Sequence, residues 1–247
     1  MTDSLRRRRL DLLRNARLYL CTDARTDHGD LREFLDAAYS GGVDIIQLRD
    51  KKLEARAEIA ALEVLAEVAE AHGKLFAAND RADVARIVGA DVFHVGQGDL
   101  TTEQARAILG DDVIMGRSNQ TEEMFRASMA DPGLDYAVIG PVWATPTKPD
   151  RAPVGLDAVE MAARVAAEQA LGELPGWPGE AGSGPGAAAA PGAVKPWFCI
   201  GGVDESRVRQ VRAAGASRIV VVRAIAGADD PEAAARRLAA ALGGANP

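Results

Sequence analysis

Residues 43–78, VDIIQLRDKKLEARAEIAALEVLAEVAEAHGKLFAA, decide the fold. The stretch opens on a short apolar run, 43–48 (VDIIQL), and closes on another, 74–78 (KLFAA). Between them, 53–72 is rich in Ala, Leu and Glu, with apolar residues at helical spacing. Apolar runs this short suit strands buried on both faces. A strand, a helix and a second strand in that order imply parallel pairing through a right-handed crossover.

The unit recurs along the whole chain. Further apolar runs stand at 17–22 (RLYLCT), 91–95 (DVFHV), 113–117 (VIMGR), 135–139 (DYAVI), 196–200 (PWFCI) and 217–222 (SRIVVV), which makes eight. Helical patterns fall at 30–41, 82–88, 101–109, 120–130, 155–171, 204–214 and 231–242. Thr101 to Gln104 reads as a capping box, and Asp204 is expected to open the helix after the seventh strand. With 247 residues, 47% of them hydrophobic, the chain has the size of one (β/α)8 TIM barrel. A doubly wound open sheet is the alternative, and eight units at this length favour closure. The expectation is therefore one domain over 1–247. Residues 172–195, GELPGWPGEAGSGPGAAAAPGAVK, break the rhythm. Gly, Ala and Pro at this density do not build a core, so the segment reads as a mobile insertion before strand 7, an inert loop or, alternatively, a lid.

Charge and cysteine content narrow the function class. The balance of 36 acids against 29 bases leaves a net charge of −7, which argues against a nucleic-acid or membrane-surface binder. Any anionic ligand must then be held by local basic groups. Cys21 and Cys199 lack metal-ligand spacing and read as reduced core thiols of a cytoplasmic protein. The run Arg6 to Arg9 is not followed by an apolar signal segment, and reads as the solvated end of a leading helix.

In a parallel barrel, functional groups gather at the C-terminal ends of the strands. After strand 2 comes Gln47-Leu48-Arg49-Asp50-Lys51, where alternation lets Gln47, Arg49 and Lys51 project together. Two cations and an amide on one face suit a phosphate or pyrophosphate, or else a solvated strand end with a salt bridge. After strands 3 and 4 come Asn79-Asp80 and Gly96-Gln97-Gly98-Asp99. Asp80 and Asp99 offer hard oxygen ligands for magnesium beside that basic cluster, and each is also a helix-cap candidate. His94 reads as a core or strand-end histidine with a satisfied hydrogen bond, and Ser118 as a hydroxyl donor outside any nucleophile motif. The loop after strand 6, Gly140 to Pro149, presents Thr145, Thr147 and Lys148 on a backbone stiffened by Pro146 and Pro149. Gly201-Gly202 after strand 7, with Val222-Arg223 ending strand 8, marks the position where many barrels hold a phosphate.

Taken together, QLRDK at 47–51, AND at 78–80, HVGQGD at 94–99, GRS at 116–118, GPVWATPTK at 140–148 and IGG at 200–202 resemble the thiamine-phosphate synthase family from about Leu18 to about Ala226. That resemblance implies a transferase that joins hydroxymethylpyrimidine pyrophosphate to a thiazole phosphate, carboxylated or not, and releases pyrophosphate. It implies that Gln47, Leu48, Arg49, Asp50, Lys51, Asn79, Ser118 and Lys148 bind the pyrimidine pyrophosphate, with Arg49, Lys51, Ser118 and Lys148 catalytic. It further implies that Asp80 and Asp99 hold Mg2+, and that Thr145, Pro146, Thr147, Gly202, Val222 and Arg223 bind the thiazole phosphate. The family often has Ser where Arg223 stands, and Thr or His where Asn119 stands. A thiazole tautomerase of the TenI kind, a phosphate-binding isomerase barrel and a non-catalytic phosphate-binding barrel are the rivals. The basic triplet, both Asp residues and Lys148 argue against the tautomerase, the isomerase has no reason for an Asp80/Asp99 pair, and magnesium-dependent pyrophosphate release separates the non-catalytic barrel from the enzyme.

Overall fold

In the computed structural model, residues 2–145, 151–177 and 193–243 are described. Eight strands close into a parallel barrel in chain order. They are β1 (Leu18–Thr22), β2 (Ile45–Leu48), β3 (Leu75–Asn79), β4 (Val92–Val95), β5 (Ile114–Asn119), β6 (Tyr136–Ile139), β7 (Trp197–Ile200) and β8 (Ile219–Val221). β8 closes on β1 with Leu18 opposite Ile219 and Leu20 opposite Val221. The helices are α1 (Thr2–Asn15), α2 (Leu31–Ser40), α3 (Ala55–His72), α4 (Ala82–Val88), α5 (Thr102–Leu109), α6 (Glu122–Ala130), α7 (Asp157–Ala170), α8 (Val208–Ala213), α9 (Arg223–Ala226) and α10 (Pro231–Ala241). The closed barrel and each of the eight apolar runs match the sequence reading.

Strand alternation sorts the side chains into two cores. Leu20, Ile46, Leu48, Phe93, Met115 and Cys199 face outward and pack under the helices. Tyr19, Ile45, Leu75, Val92, Tyr136 and Phe198 fill the barrel, and Leu10 and Leu13 of α1, with Ala16 just after it, join them from below. Helix α1 is thus a plug for the lower mouth. Arg7 and Arg8 are exposed, as a solvated helix end implies, but Arg6 and Arg9 correct that expectation. Arg6 pairs with the nearly inaccessible Asp135 at 2.7 Å, and Arg9 pairs with Asp91 at 2.8 Å. Arg9 also donates to the carbonyls of Gly89 and Asp112, and is itself buried. These partners lie 80 or more positions along the chain, where no local pattern shows them.

One local expectation holds and two change. The capping box at Thr101 and Gln104 is present. Asp204 does not cap α8, whose N-cap is Arg207, three residues later. Its carboxylate instead accepts from the Ser206 and Arg207 amides and stabilises a turn. Finally, both described flanks of the 172–195 segment are packed under the barrel. Trp177 is buried beneath the Arg14 guanidinium, 5.3 Å from its ring centre, and its amide donates to the Ala193 carbonyl. An α-to-β connection lies at the lower face, opposite the strand C-termini, so these flanks do not reach the upper mouth. Residues 178–192, on which the insertion reading mostly rests, lie outside the described residues. Both cysteines are free and buried, as expected, and burial pushes the Cys199 thiol up to about 12. No helix among the described residues is long and apolar enough to cross a membrane.

Candidate active site

A cavity of about 540 Å³ opens at the C-terminal ends of the strands. Gln47, Arg49, Asn79, Ser118, Thr145, Gly202, Val222 and Arg223, all named from sequence, line it. They come from strands β2, β3 and β5 and from the loops after β6, β7 and β8, so the closed barrel converts a scattered set into one surface.

The remaining expected residues sit differently. Leu48 turns its side chain into the helix-facing core and does not line the cavity. Asp50 accepts from the Lys52 and Ala24 amides and shapes the loop. Strand β2 ends at Leu48, so alternation does not extend to Lys51. Lys51 is exposed, and its ammonium lies 2.9 Å from Asp80. Pro146, Thr147 and Lys148 lie outside the described residues.

Asp80 and Asp99 follow adjacent strands, and neither caps a helix: Arg81 and Thr101 are the N-caps. Asp80 holds a left-handed backbone at φ 43°, and its amide donates to the His94 carbonyl, extending the ladder between β3 and β4. A left-handed non-glycine residue at a strand end is a strained arrangement of the kind found at functional sites. Asp99 accepts from the Gly96 amide at 2.7 Å through Oδ2. Glu58 feels the charge of Asp80 but not of Asp99. Burial pushes its carboxyl up, Arg81 opposes that, and Asp80, Asp83 and Asp50 reinforce it. Among the described residues, no group of three or more His, Cys, Asp or Glu gathers to enclose a metal. Two carboxylates at neighbouring strand ends have the hard-oxygen donor chemistry that Mg2+ takes.

Sequence reasoning missed several cavity residues. Arg151 and Arg207 line it alongside Arg49 and Arg223. Arg207 donates to the Gly202 carbonyl at 2.7 Å and lies 4.9 Å over the Trp143 ring. Its signal was its place in a loop after a strand, which the expected helix at 204–214 concealed. The glycines beneath it are sterically required. A Cβ at Gly201 would lie 2.4 Å from the Pro141 Cβ, and one at Gly202 2.8 Å from the Trp143 Cβ. Tyr19 and His94 also line the cavity. His94 keeps the satisfied contacts expected of it, but they run to Ser118 Oγ at 2.8 Å and Tyr136 Oη at 2.9 Å, at the floor of the site. Burial holds the Tyr19 and Tyr136 phenols well above their usual range, so both keep their protons.

Fold and site define a barrel that gathers cations and hydroxyls around one cavity at its upper mouth, the chemistry of an anion-binding barrel. The comparisons with known proteins narrow that class. The family model of thiamine monophosphate synthase matches residues 18–175. A thiamine-phosphate synthase of Arthrobacter sp. (strain FB24) is 55% identical over 235 residues, 94% of this chain and 96% of that protein. One of Thermobifida fusca (strain YX) is 54% identical over 245 residues, 98% of this chain and 99% of that protein. Among solved structures, thiamine phosphate pyrophosphorylase from Pyrococcus furiosus superposes with a TM-score of 0.74 at 25% identity, covering 94% of this chain and 98% of its own. The chain belongs to the thiamine monophosphate synthase family.

Proposed function

We propose that this chain is a thiamine-phosphate synthase, a soluble cytoplasmic transferase that acts on two small phosphorylated substrates and not on nucleic acid or membrane. The carbon–oxygen bond between the pyrimidine methylene and its pyrophosphate breaks, and the electron pair leaves with the pyrophosphate. The thiazole ring nitrogen then gives its lone pair to the methylene carbon, which yields thiamine phosphate. A nitrogen that already carries a lone pair needs no general base, so what the protein must supply is stabilisation of a leaving anion. The observation that carries the reading is the cavity itself: four arginines converge on one mouth of a protein whose net charge is −7.

In this reading Gln47, Asn79 and Ser118 hold the pyrimidine half. Arg49, Lys51 and Lys148 hold its pyrophosphate, with the main chain of Leu48 and Asp50 beside them. Thr145, Pro146, Thr147, Gly202, Val222 and Arg223 hold the thiazole phosphate, and Arg151 and Arg207 add cations at that end. Asp80 and Asp99 would hold Mg2+, which when bound supplies charge neutralisation at the pyrophosphate. The test is to incubate the purified chain with both precursors and Mg2+ and to identify the product by mass spectrometry. Thiamine phosphate is expected; its absence from a folded preparation removes the synthase reading.

A further inference from the structure

Across the interior of the barrel, directly under the cavity, six side chains form one hydrogen-bonded row. Cys21 Sγ donates to Gln47 Oε1 at 3.4 Å, and Gln47 Nε2 donates to Tyr19 Oη at 2.9 Å. Tyr19 Oη lies 3.3 Å from Tyr136 Oη. Tyr136 Oη lies 2.9 Å from His94 Nδ1, and His94 Nε2 lies 2.8 Å from Ser118 Oγ. The His94 and Tyr136 rings stack, with centres 5.7 Å apart at 29°. Gly116 makes room for this row, since a Cβ there would stand 2.1 Å from the Tyr136 Cζ. Gln47, Tyr19, Tyr136 and Ser118 are all buried.

Buried polar groups use their hydrogens, so the protons along the row can be followed in order. Tyr19 accepts from the Gln47 amide, and its single hydrogen is left for Tyr136. Tyr136, having accepted it, gives its own hydrogen to His94 Nδ1. A neutral imidazole that accepts at Nδ1 donates at Nε2, and the acceptor there is Ser118 Oγ. The hydrogen of Ser118 is thereby released from the row and faces the cavity that the residue lines.

We propose that His94 is a positioning residue which, backed by Tyr136 and Tyr19, fixes Ser118 as a hydrogen-bond donor toward the ligand. The atom that meets Ser118 is then a lone-pair acceptor; on the function proposed above, with which this identification stands or falls, it is a pyrimidine ring nitrogen. Ser118 ends the row, Gln47 stands next to its Cys21 end, and both line the cavity. The order of the protons itself depends only on the row.

Two measurements test this. The first uses the full-length chain with 15N-labelled histidine. Its three histidines, His28, His72 and His94, give three resolvable ring patterns, and His94→Gln assigns the third. The expected pattern for His94 at neutral pH is the neutral Nε2–H tautomer, changed by Tyr136→Phe. The Nδ1–H tautomer or an imidazolium would overturn the proposal, whether or not the chain makes thiamine phosphate. The second is a double-mutant cycle on turnover, with circular dichroism confirming that each variant is folded. Tyr136→Phe is expected to lower kcat/KM about tenfold when Ser118 is present, the scale of one buried hydrogen bond, and less than about twofold in the Ser118→Ala background. Equal losses in both backgrounds would show that Tyr136 does not act through Ser118. A wild-type chain that forms no product refutes the functional reading alone, and the tautomer still decides the order of the row.

Discussion

At the lower end of the barrel Asp135 is clasped by Arg6 and Arg106, and Asp91 by Arg9, whereas at the upper end Arg49, Arg151, Arg207 and Arg223 line an open cavity with no ion pair to any described residue. Both ends are built from residues just outside the strands, and both are rich in arginine. The difference is who supplies the counter-charge. Below, the chain supplies its own, and the result is a plug that closes the barrel. Above, these four arginines have no carboxylate partner among the described residues. A buried pair holds its position strongly once formed, because removing one partner strands the other. An open cluster contributes little to folding and is available for binding. The same residue type therefore carries stability at one mouth and chemistry at the other, as the two faces of such barrels generally divide.

Breaking the lower end is expected to have the largest effect. Asp135→Ala strands Arg6 and Arg106 and leaves the Met115 amide without its acceptor. A loss of about 3–5 kcal/mol in urea unfolding is expected, with kcat of the folded fraction retained. An unchanged unfolding midpoint would dissolve the distinction between the two ends. At the upper end, Lys51→Ala and Asp99→Ala should each cost at least about 10²-fold in turnover, near 2.7 kcal/mol, without moving the midpoint. Near-wild-type turnover in both would remove the pyrophosphate site from this mouth.

A subtler contrast lies in Lys195, buried below β7 with its ammonium donating to the Ser128 and Asp131 carbonyls. Burial lowers its pKa from 10.5 to about 8, against the pull of Asp135 and Asp131. Between about pH 8 and 10 the unfolded chain thus holds more protons at this site than the folded one, and stability rises with pH. Lys195→Met should flatten that rise in the urea midpoint; an identical slope in the variant would assign it elsewhere. The smallest effect is expected from Arg223→Ser, which restores the residue common in the family. If main chain holds the phosphate, KM for the thiazole phosphate rises about 3–10-fold with kcat kept, and a collapse of kcat would give the side chain a larger role.

What the sequence revealed follows the range of the physics involved. Strand, helix and capping signals act within a few residues, so the eight runs, the 53–72 helix and the Thr101 box were legible. Motif residues on strand ends, such as Gln47, Arg49 and Ser118, could be placed because barrel closure puts all such ends at one mouth. Lys51 departed because alternation stops where the strand stops. Arg9 and Trp177 were misread because their partners lie far along the chain, and a basic run or a Gly/Pro-rich segment looks solvated until those partners are known. Arg207 was hidden by a helix that starts later than its pattern suggested. The row from Cys21 to Ser118 draws on five strands, and only the closed register of the barrel brings it together.

On the function proposed above, the upper mouth releases pyrophosphate with the help of Mg2+. The most direct measurement follows pyrophosphate release continuously while Mg2+ is titrated into the purified chain and both precursors. Release that saturates with Mg2+, stops on chelation and matches thiamine phosphate one for one is the predicted result. Release that is absent at every Mg2+ concentration, or unchanged by the chelator, would contradict it.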